Sequence, residues 1–175
     1  MPTKIKTVGV LGLGSIGMRH AKNLFALGYT VLGYDPEFHN PDYAINKCSL
    51  DDVLRLSDAV VIASPTDQHY ADIYSSLQKT QNVFAEKPIA NSLEEPLDPT
   101  LLRQVMMVGY NLRFHSCVKK AKEWIDAGLI GTPLWANLTC AQFNDKPAYL
   151  RDGVILNWSH EIDLALYLLG PAEVQ

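Results

Sequence analysis

Gly12, Gly14 and Gly17 stand in the spacing G-x-G-x-x-G between an apolar run over 4–11 and a stretch over 15–27 in which Ile16, His20, Leu24 and Leu27 recur at helical spacing. Alone the triplet is a weak signal, but a strand before it and a helix after it leave a chain few folds to choose from. Gly12 permits a tight turn, Gly14 lets the backbone approach a pyrophosphate, and Gly17 lets the helix pack closely on the strand. The first amides of the helix, at Ser15 and Ile16, then face the anion. Gly28 ends the helix, a second β-rich run follows over 30–34, and Asp35-Pro36 stops it, because proline cannot continue a ladder. Strand, helix and strand within about thirty residues predict a βαβ unit. A carboxylate at the end of the second strand accepts hydrogen bonds from both adenosine ribose hydroxyls and repels a 2′-phosphate. Neither Pro36 nor Glu37 adds a basic group, so the expected cofactor is NAD, with NADP disfavoured. A methyltransferase also places a glycine-rich loop before a helix; the full fingerprint counts against that reading.

The alternation continues. Ser49 caps a short helix through Asp51, Asp52 and Leu54, a strand runs over 59–63, a helix over 66–77, a brief strand over 82–85 and another over 105–108. This order predicts an α/β fold, a Rossmann-type doubly wound parallel sheet covered on both faces. Beyond Gly109 the pattern changes to an amphipathic helix over 116–126, a turn over 128–133, one long strand over 132–143 and a last helix over 159–169, stopped by Gly170-Pro171. The expected division is a dinucleotide-binding domain over 1–110 and the start of an α+β substrate and oligomerisation domain over 111–175.

With 47% hydrophobic residues in 175, the chain can bury a core, and its net charge of −4 comes without a basic block, which argues against a nucleic-acid surface or an electrostatic membrane anchor. A small-molecule ligand fits better. No apolar leader or spanning stretch is apparent, so the expected location is the cytoplasm. Cys48, Cys117 and Cys140 are odd in number and widely spaced, which reads as buried thiols rather than a disulfide framework or zinc site. No metal site is expected.

Four segments carry a resemblance: the glycine turn, Ser64-Pro65-Thr66 with His69, Glu86-Lys87-Pro88, and Ser159-His160-Glu161-Ile162-Asp163. With them the chain resembles the Gfo/Idh/MocA family of NAD(P)-dependent sugar and cyclitol oxidoreductases, and Gly109-Tyr110-Asn111-Leu112-Arg113-Phe114 looks like that family's crossing into the substrate domain. The resemblance implies that Lys87 hydrogen-bonds the reacting oxygen and that His160 accepts or donates its proton. It also implies that Glu86 and Pro88 position the lysine, that Ser64, Pro65, Thr66 and His69 lie along the cofactor, and that Asn111 and Arg113 face the substrate. Many members carry an aspartate three or four residues before the histidine; Leu156 and Asn157 stand there in this chain. Asn157 can hydrogen-bond a sugar hydroxyl but cannot share a proton as a carboxylate would. Asp163 is expected within reach of the site or of a helix N-terminus.

Oxidising a secondary alcohol needs a hydride acceptor, a base for the hydroxyl proton and a group that steadies the oxygen as charge develops. NAD⁺, His160 and Lys87 are candidates for the three, acting on a sugar, cyclitol or nucleotide-linked sugar. The other reading is a cofactor-binding chain that is not an independent enzyme, completed by another subunit. Read blandly, His160 caps a helix, Lys87 is a solvated charge, His69 sits on a helix surface and His20 is structural. Trp135, Phe143, Tyr149 and Trp158 either stack on a sugar ring or fill a core. An unpaired edge along the 132–143 strand predicts self-association into a homo-oligomer through the second domain.

Overall fold

Buried β-branched runs alternating with helices build one parallel sheet in the computed structural model, which describes residues 4–37, 45–79, 82–91, 98–101, 105–139 and 158–171. The strands are β1 (Thr7–Leu11), β2 (Thr30–Tyr34), β3 (Asn46–Lys47), β4 (Ala59–Ile62), β5 (Asn82–Ala85) and β6 (Met106–Val108), in the order β3-β2-β1-β4-β5-β6. Every neighbouring pair is parallel. This is the order of a dinucleotide-binding Rossmann sheet, reversing direction between β1 and β4.

The helices are α1 (Ser15–Ala26), α2 (Leu50–Leu56) and α3 (Thr66–Gln78). Ser49 caps α2 as its sequence predicts, its hydroxyl oxygen accepting from the Asp52 N–H. Successive strand residues point to opposite faces, so two cores form. On one face Leu11, Val60, Ile62, Val83 and Ala85 pack with Val53 and Leu54 of α2 and Ile73 and Leu77 of α3. On the other, Val8, Val10, Val31 and Val61 pack with Leu13 and with Ala21 of α1.

The chain divides into two compact units, Met1–Gly109 and Tyr110–Gln175. Among its described residues the second unit holds a 3-10 turn, Asn111–Phe114, and two helices, α4 (Ser116–Asp126) and α5 (Ser159–Leu169). Gly170, at φ 89°, ends α5 where the sequence places its stop. The expected long strand over 132–143 is not found across 132–139, and its last four residues lie outside the described ones. A strand is defined by its ladder, and among the described residues this segment has no neighbouring strand to pair with. Leu134 is 94% and Trp135 81% exposed, so Trp135 fills no core here, and the unpaired strand edge expected to drive self-association is not present across 132–139. The regular elements among the second unit's described residues are helical. Cys117 is exposed rather than a buried thiol, and Cys48 is half-buried. No helix among the described residues is long and apolar enough to cross a membrane.

Candidate functional site

In a parallel sheet every strand ends at the same edge. The register pairs Leu11 with Tyr34 and with Ile62, Ile62 with Ala85, and Ala85 with Val108. The residues that follow those strand ends therefore form one row: the glycine turn after β1, Asp35 after β2, Ala63 and Ser64 after β4, Glu86 after β5 and Gly109 after β6. Open α/β sheets bind ligands along this edge, at the point where strand order reverses.

Each glycine of the turn answers a different demand. Gly12 has φ 83°, and a Cβ there would lie 2.4 Å from the Ser64 backbone nitrogen. A Cβ on Gly17 would lie 1.8 Å from the Gly12 carbonyl oxygen, so α1 approaches the turn as closely as backbone allows. Around Gly14 there is nothing within 4 Å. Gly14, Ser15 and Ile16 are exposed, while Gly12 and Gly17 are buried. Gly14 caps α1 without a side chain, which leaves the first helical N–H groups directed outward as an anion cradle.

Asp35 is locked to this cradle. Its Oδ2 accepts the Leu13 N–H at 2.7 Å and its Oδ1 the Glu37 N–H at 2.9 Å. The carboxylate expected to read a ribose is thus fixed relative to the turn expected to read the phosphates.

Ser64, Pro65 and Thr66 lead into α3. The Ser64 hydroxyl donates to Asp72 Oδ2 at 2.6 Å. Burial pushes the Asp72 carboxyl up, against the lowering effect of that hydrogen bond. His69, 2% exposed, places Nδ1 2.7 Å from the Pro88 carbonyl oxygen and Nε2 2.8 Å from that of Ser64. Both ring nitrogens are engaged by backbone, so His69 ties two loops together and is not the helix-surface residue of the bland reading.

Glu86 continues β5, its N–H donating to the Ile62 carbonyl. Its Oε1 accepts from His20 Nε2 at 2.8 Å, and that hydrogen bond holds the Glu86 carboxyl below its ordinary value in spite of partial burial. The His20 ring also meets Phe84 edge-on, with centroids 5.4 Å apart. Lys87 and Pro88, joined by a cis peptide, are half-buried beside it. Sequence reasoning gave His20 only a structural place on the apolar stripe of α1. The partner that changes this is 66 residues away.

In the second unit Arg113 and Asp163 meet each other. Arg113 Nε donates to Asp163 Oδ2 at 2.8 Å and Nη2 to Oδ1 at 2.5 Å, a bidentate pair in which Asp163 is 6% exposed. The guanidinium also lies 5.1 Å from the Tyr167 ring centroid and 6.0 Å from that of Tyr110. Burial, and then the Asp163 charge, push the Tyr110 phenol up. His160, in the first turn of α5, meets Tyr110 edge-on at 6.0 Å. Arg113 and Asp163 therefore brace the start of the unit to α5, and Asn111 is exposed at the first position of the 3-10 turn that carries Arg113. Asn157, Phe143 and Tyr149 lie outside the described residues. Replacing Asp163 with asparagine should cost about 1–2 kcal/mol, below the usual penalty for breaking a buried pair because Arg113 is 41% exposed and can turn to water. The check is a lower urea midpoint at an unchanged slope.

Residues 2–80 match the sequence pattern of the family described as D-isomer specific 2-hydroxyacid dehydrogenase, NAD binding domain. That stretch runs from β1 through α3 and stops before Glu86-Lys87-Pro88, so it bears on the cofactor half of the edge and not on the lysine. The chain is 29% identical over 189 residues to myo-inositol 2-dehydrogenase of Thermotoga maritima, covering 93% of this chain and 54% of that one. It is 32% identical over 182 residues to scyllo-inositol 2-dehydrogenase (NAD(+)) of Bacillus subtilis, covering 92% and 53%. Among solved structures, myo-inositol dehydrogenase from Lactobacillus casei in complex with NAD(H) and myo-inositol aligns with a TM-score of 0.72 at 25% identity, over 95% of this chain and 55% of that one. The chain spans about half the length of the curated relatives it matches.

Proposed function

We propose that this chain is an oxidoreductase of the Gfo/Idh/MocA type that uses NAD and acts on a secondary alcohol of a cyclitol, sugar or nucleotide-linked sugar. The observation that carries the proposal is the strand-end row, where an open, uncapped helix N-terminus, an aspartate locked to its glycine turn and the Glu86-Lys87-Pro88 turn share one edge. The inositol dehydrogenases among its relatives support the substrate class.

Gly12, Gly14, Ser15, Ile16 and Gly17 would hold the pyrophosphate through backbone N–H groups, and Asp35 the adenosine ribose. Ser64, Pro65, Thr66 and Glu86 line the same edge. When bound, NAD⁺ supplies the hydride acceptor. Lys87 would donate to the substrate oxygen and stabilise the negative charge that develops as the C–H bond breaks, and His160 would take the hydroxyl proton, leaving a C=O. In the reverse direction the histidine returns the proton. Asn111 and Asn157 would meet other hydroxyls of the ring. Arg113 and Asp163, already paired, would shape the substrate side together as one neutral unit.

Calorimetric titration of the chain with NAD⁺, NADH and NADP⁺, followed by an absorbance assay against a cyclitol and sugar panel, tests the reading. NAD(H) is expected to bind more tightly than NADP⁺, and at least one polyol to be oxidised. Asp35→Asn should lower NAD⁺ affinity about tenfold, the worth of one charge-assisted hydrogen bond, and narrow the preference over NADP⁺ by removing the repelling charge. Equal affinity of the parent for both cofactors would overturn the NAD assignment. Binding without turnover would favour a cofactor-binding chain, and no binding would overturn the proposal.

A further inference from the structure

The Glu86-Lys87-Pro88 turn is held from both faces of the sheet by two histidines to which the proposed chemistry gives no step. His20 stands on α1, which packs with Val8, Val10 and Val31. It reaches the Glu86 carboxylate at 2.8 Å while resting edge-on against Phe84. His69 stands on α3, which packs with the opposite core through Ile73 and Leu77. It reaches the Pro88 carbonyl at 2.7 Å and, with its other nitrogen, the Ser64 carbonyl at 2.8 Å. Each neighbour of Lys87 is therefore fastened to a different helix, one through its side chain and one through its backbone.

We propose that His20 and His69 are positioning residues that brace this turn, setting where the Lys87 ammonium stands relative to the glycine turn and to the Ser64-Pro65-Thr66 loop. The functional half of the inference rests on the role proposed above for Lys87; the mechanical half does not. Two features make these ties braces rather than incidental contacts. His69 is buried, and in so polar a position a ring without partners would be costly, so both carbonyls are part of how the site is satisfied. Its partners also lie on two separate loops of the ligand edge, so moving the ring moves both. The Ser64 loop is further pinned to α3 by the Ser64–Asp72 hydrogen bond, so α3 serves as a common base for the two loops. A lysine with four rotatable bonds delivers its charge accurately only when its backbone is immobile, and misplacement of a charged donor by an ångström costs rate rather than binding.

The two ties of His69 can be separated chemically. A ring with one N–H serves one of the two carbonyls, and a ring with two serves both. Asparagine places an amide nitrogen where Nδ1 stands and can keep the Pro88 tie. Glutamine places one where Nε2 stands and can keep only the Ser64 tie. The experiment compares His69→Asn, His69→Gln, His20→Gln and His20→Leu in the full chain, reading amide hydrogen exchange over 86–90, NAD⁺ affinity by calorimetry, and kcat with the polyol that the parent turns over best. His69→Gln and His20→Leu should speed exchange over 86–90 at least tenfold and lower kcat about 10–100-fold, with NAD⁺ affinity within about threefold of the parent. His69→Asn and His20→Gln should restore most of the protection and most of the rate. Equal behaviour of the Asn and Gln variants at position 69, together with unchanged exchange in His20→Leu, would overturn the brace. If His69 variants do not fold, the partly exposed His20 pair decides by the same measure. A parent that binds NAD⁺ without turnover, with exchange changing as expected, would keep the brace and sink the oxidoreductase reading.

Discussion

Gly17→Ala is expected to unfold this chain at lower denaturant and to weaken cofactor binding together, whereas Gly14→Ala should weaken binding as much and cost little stability. The contrast follows from what a methyl group meets. At Gly17 it would stand 1.8 Å from the Gly12 carbonyl oxygen, a backbone atom that cannot rotate away. The helix must retreat from the turn by roughly an ångström or more, and the cost is about 3 kcal/mol, the upper end of what overpacking exacts. Because that retreat carries the N-terminal amides of α1 with it, NAD⁺ affinity should fall by about 10²-fold or more. At Gly14 the methyl meets nothing within 4 Å, and the backbone, at φ −64° and ψ −168°, suits any residue. The melting temperature should therefore fall only slightly, since alanine meets no clash there but caps a helix less well than glycine. The open space around Gly14 is where a pyrophosphate would approach, so affinity should again drop about 10²-fold. Thermal melts of the ligand-free variants and calorimetric titration with NAD⁺ separate the two. A Gly14→Ala chain that binds as the parent does would remove the pyrophosphate from this turn, and a fully stable Gly17→Ala would refute the packing argument.

How much of this could be read beforehand depended on how local each signal is. The β1–α1–β2 unit, the Ser49 cap and the extent of α5 are written in neighbouring residues: an alternating or helical period, a capping hydroxyl, a glycine with positive φ past the helix end. Asp35 was found through its place after a strand, although its anchoring by the Leu13 N–H needs the turn to be folded back on it. The ties that hold the site are not local. His20 and Glu86 are 66 residues apart, His69 and Pro88 19, and Arg113 and Asp163 50. On α1, His20 shares a stripe with Ile16 and Leu24, and nothing in that spacing announces a carboxylate arriving from the end of β5. The sequence points Arg113 to the substrate and Asp163 to the site or a helix N-terminus; their attraction to one another is not visible there because no periodicity links them. The segment 132–139 failed for a related reason. β-branched and aromatic residues describe what a strand accommodates, but a strand exists only where another supplies its hydrogen bonds.

Lys87→Met is the substitution that bears most directly on the chemistry. Methionine keeps much of the length and the apolar stem of lysine and removes the ammonium, so packing of the half-buried residue changes little. What is lost is the positive charge placed where the substrate oxygen would become negative. Removing one preorganised donor of that kind is worth about 3–4 kcal/mol in the transition state, which corresponds to a fall of about 10²–10³ in kcat. Ground-state binding depends on it less, because the alcohol oxygen is neutral before the hydride leaves; NAD⁺ affinity and KM should move by less than about tenfold. The turn itself should remain braced, since His20 grips the Glu86 side chain and His69 the Pro88 carbonyl, neither of which the substitution touches. Steady-state kinetics with the best polyol, alongside hydrogen exchange over 86–90, measure the two halves of that claim. A slow enzyme with a protected turn places the ammonium at the reacting oxygen. A variant that turns over substrate as fast as the parent removes Lys87 from the mechanism, and slow turnover with a loosened turn would make the lysine part of the mounting it was thought to stand on.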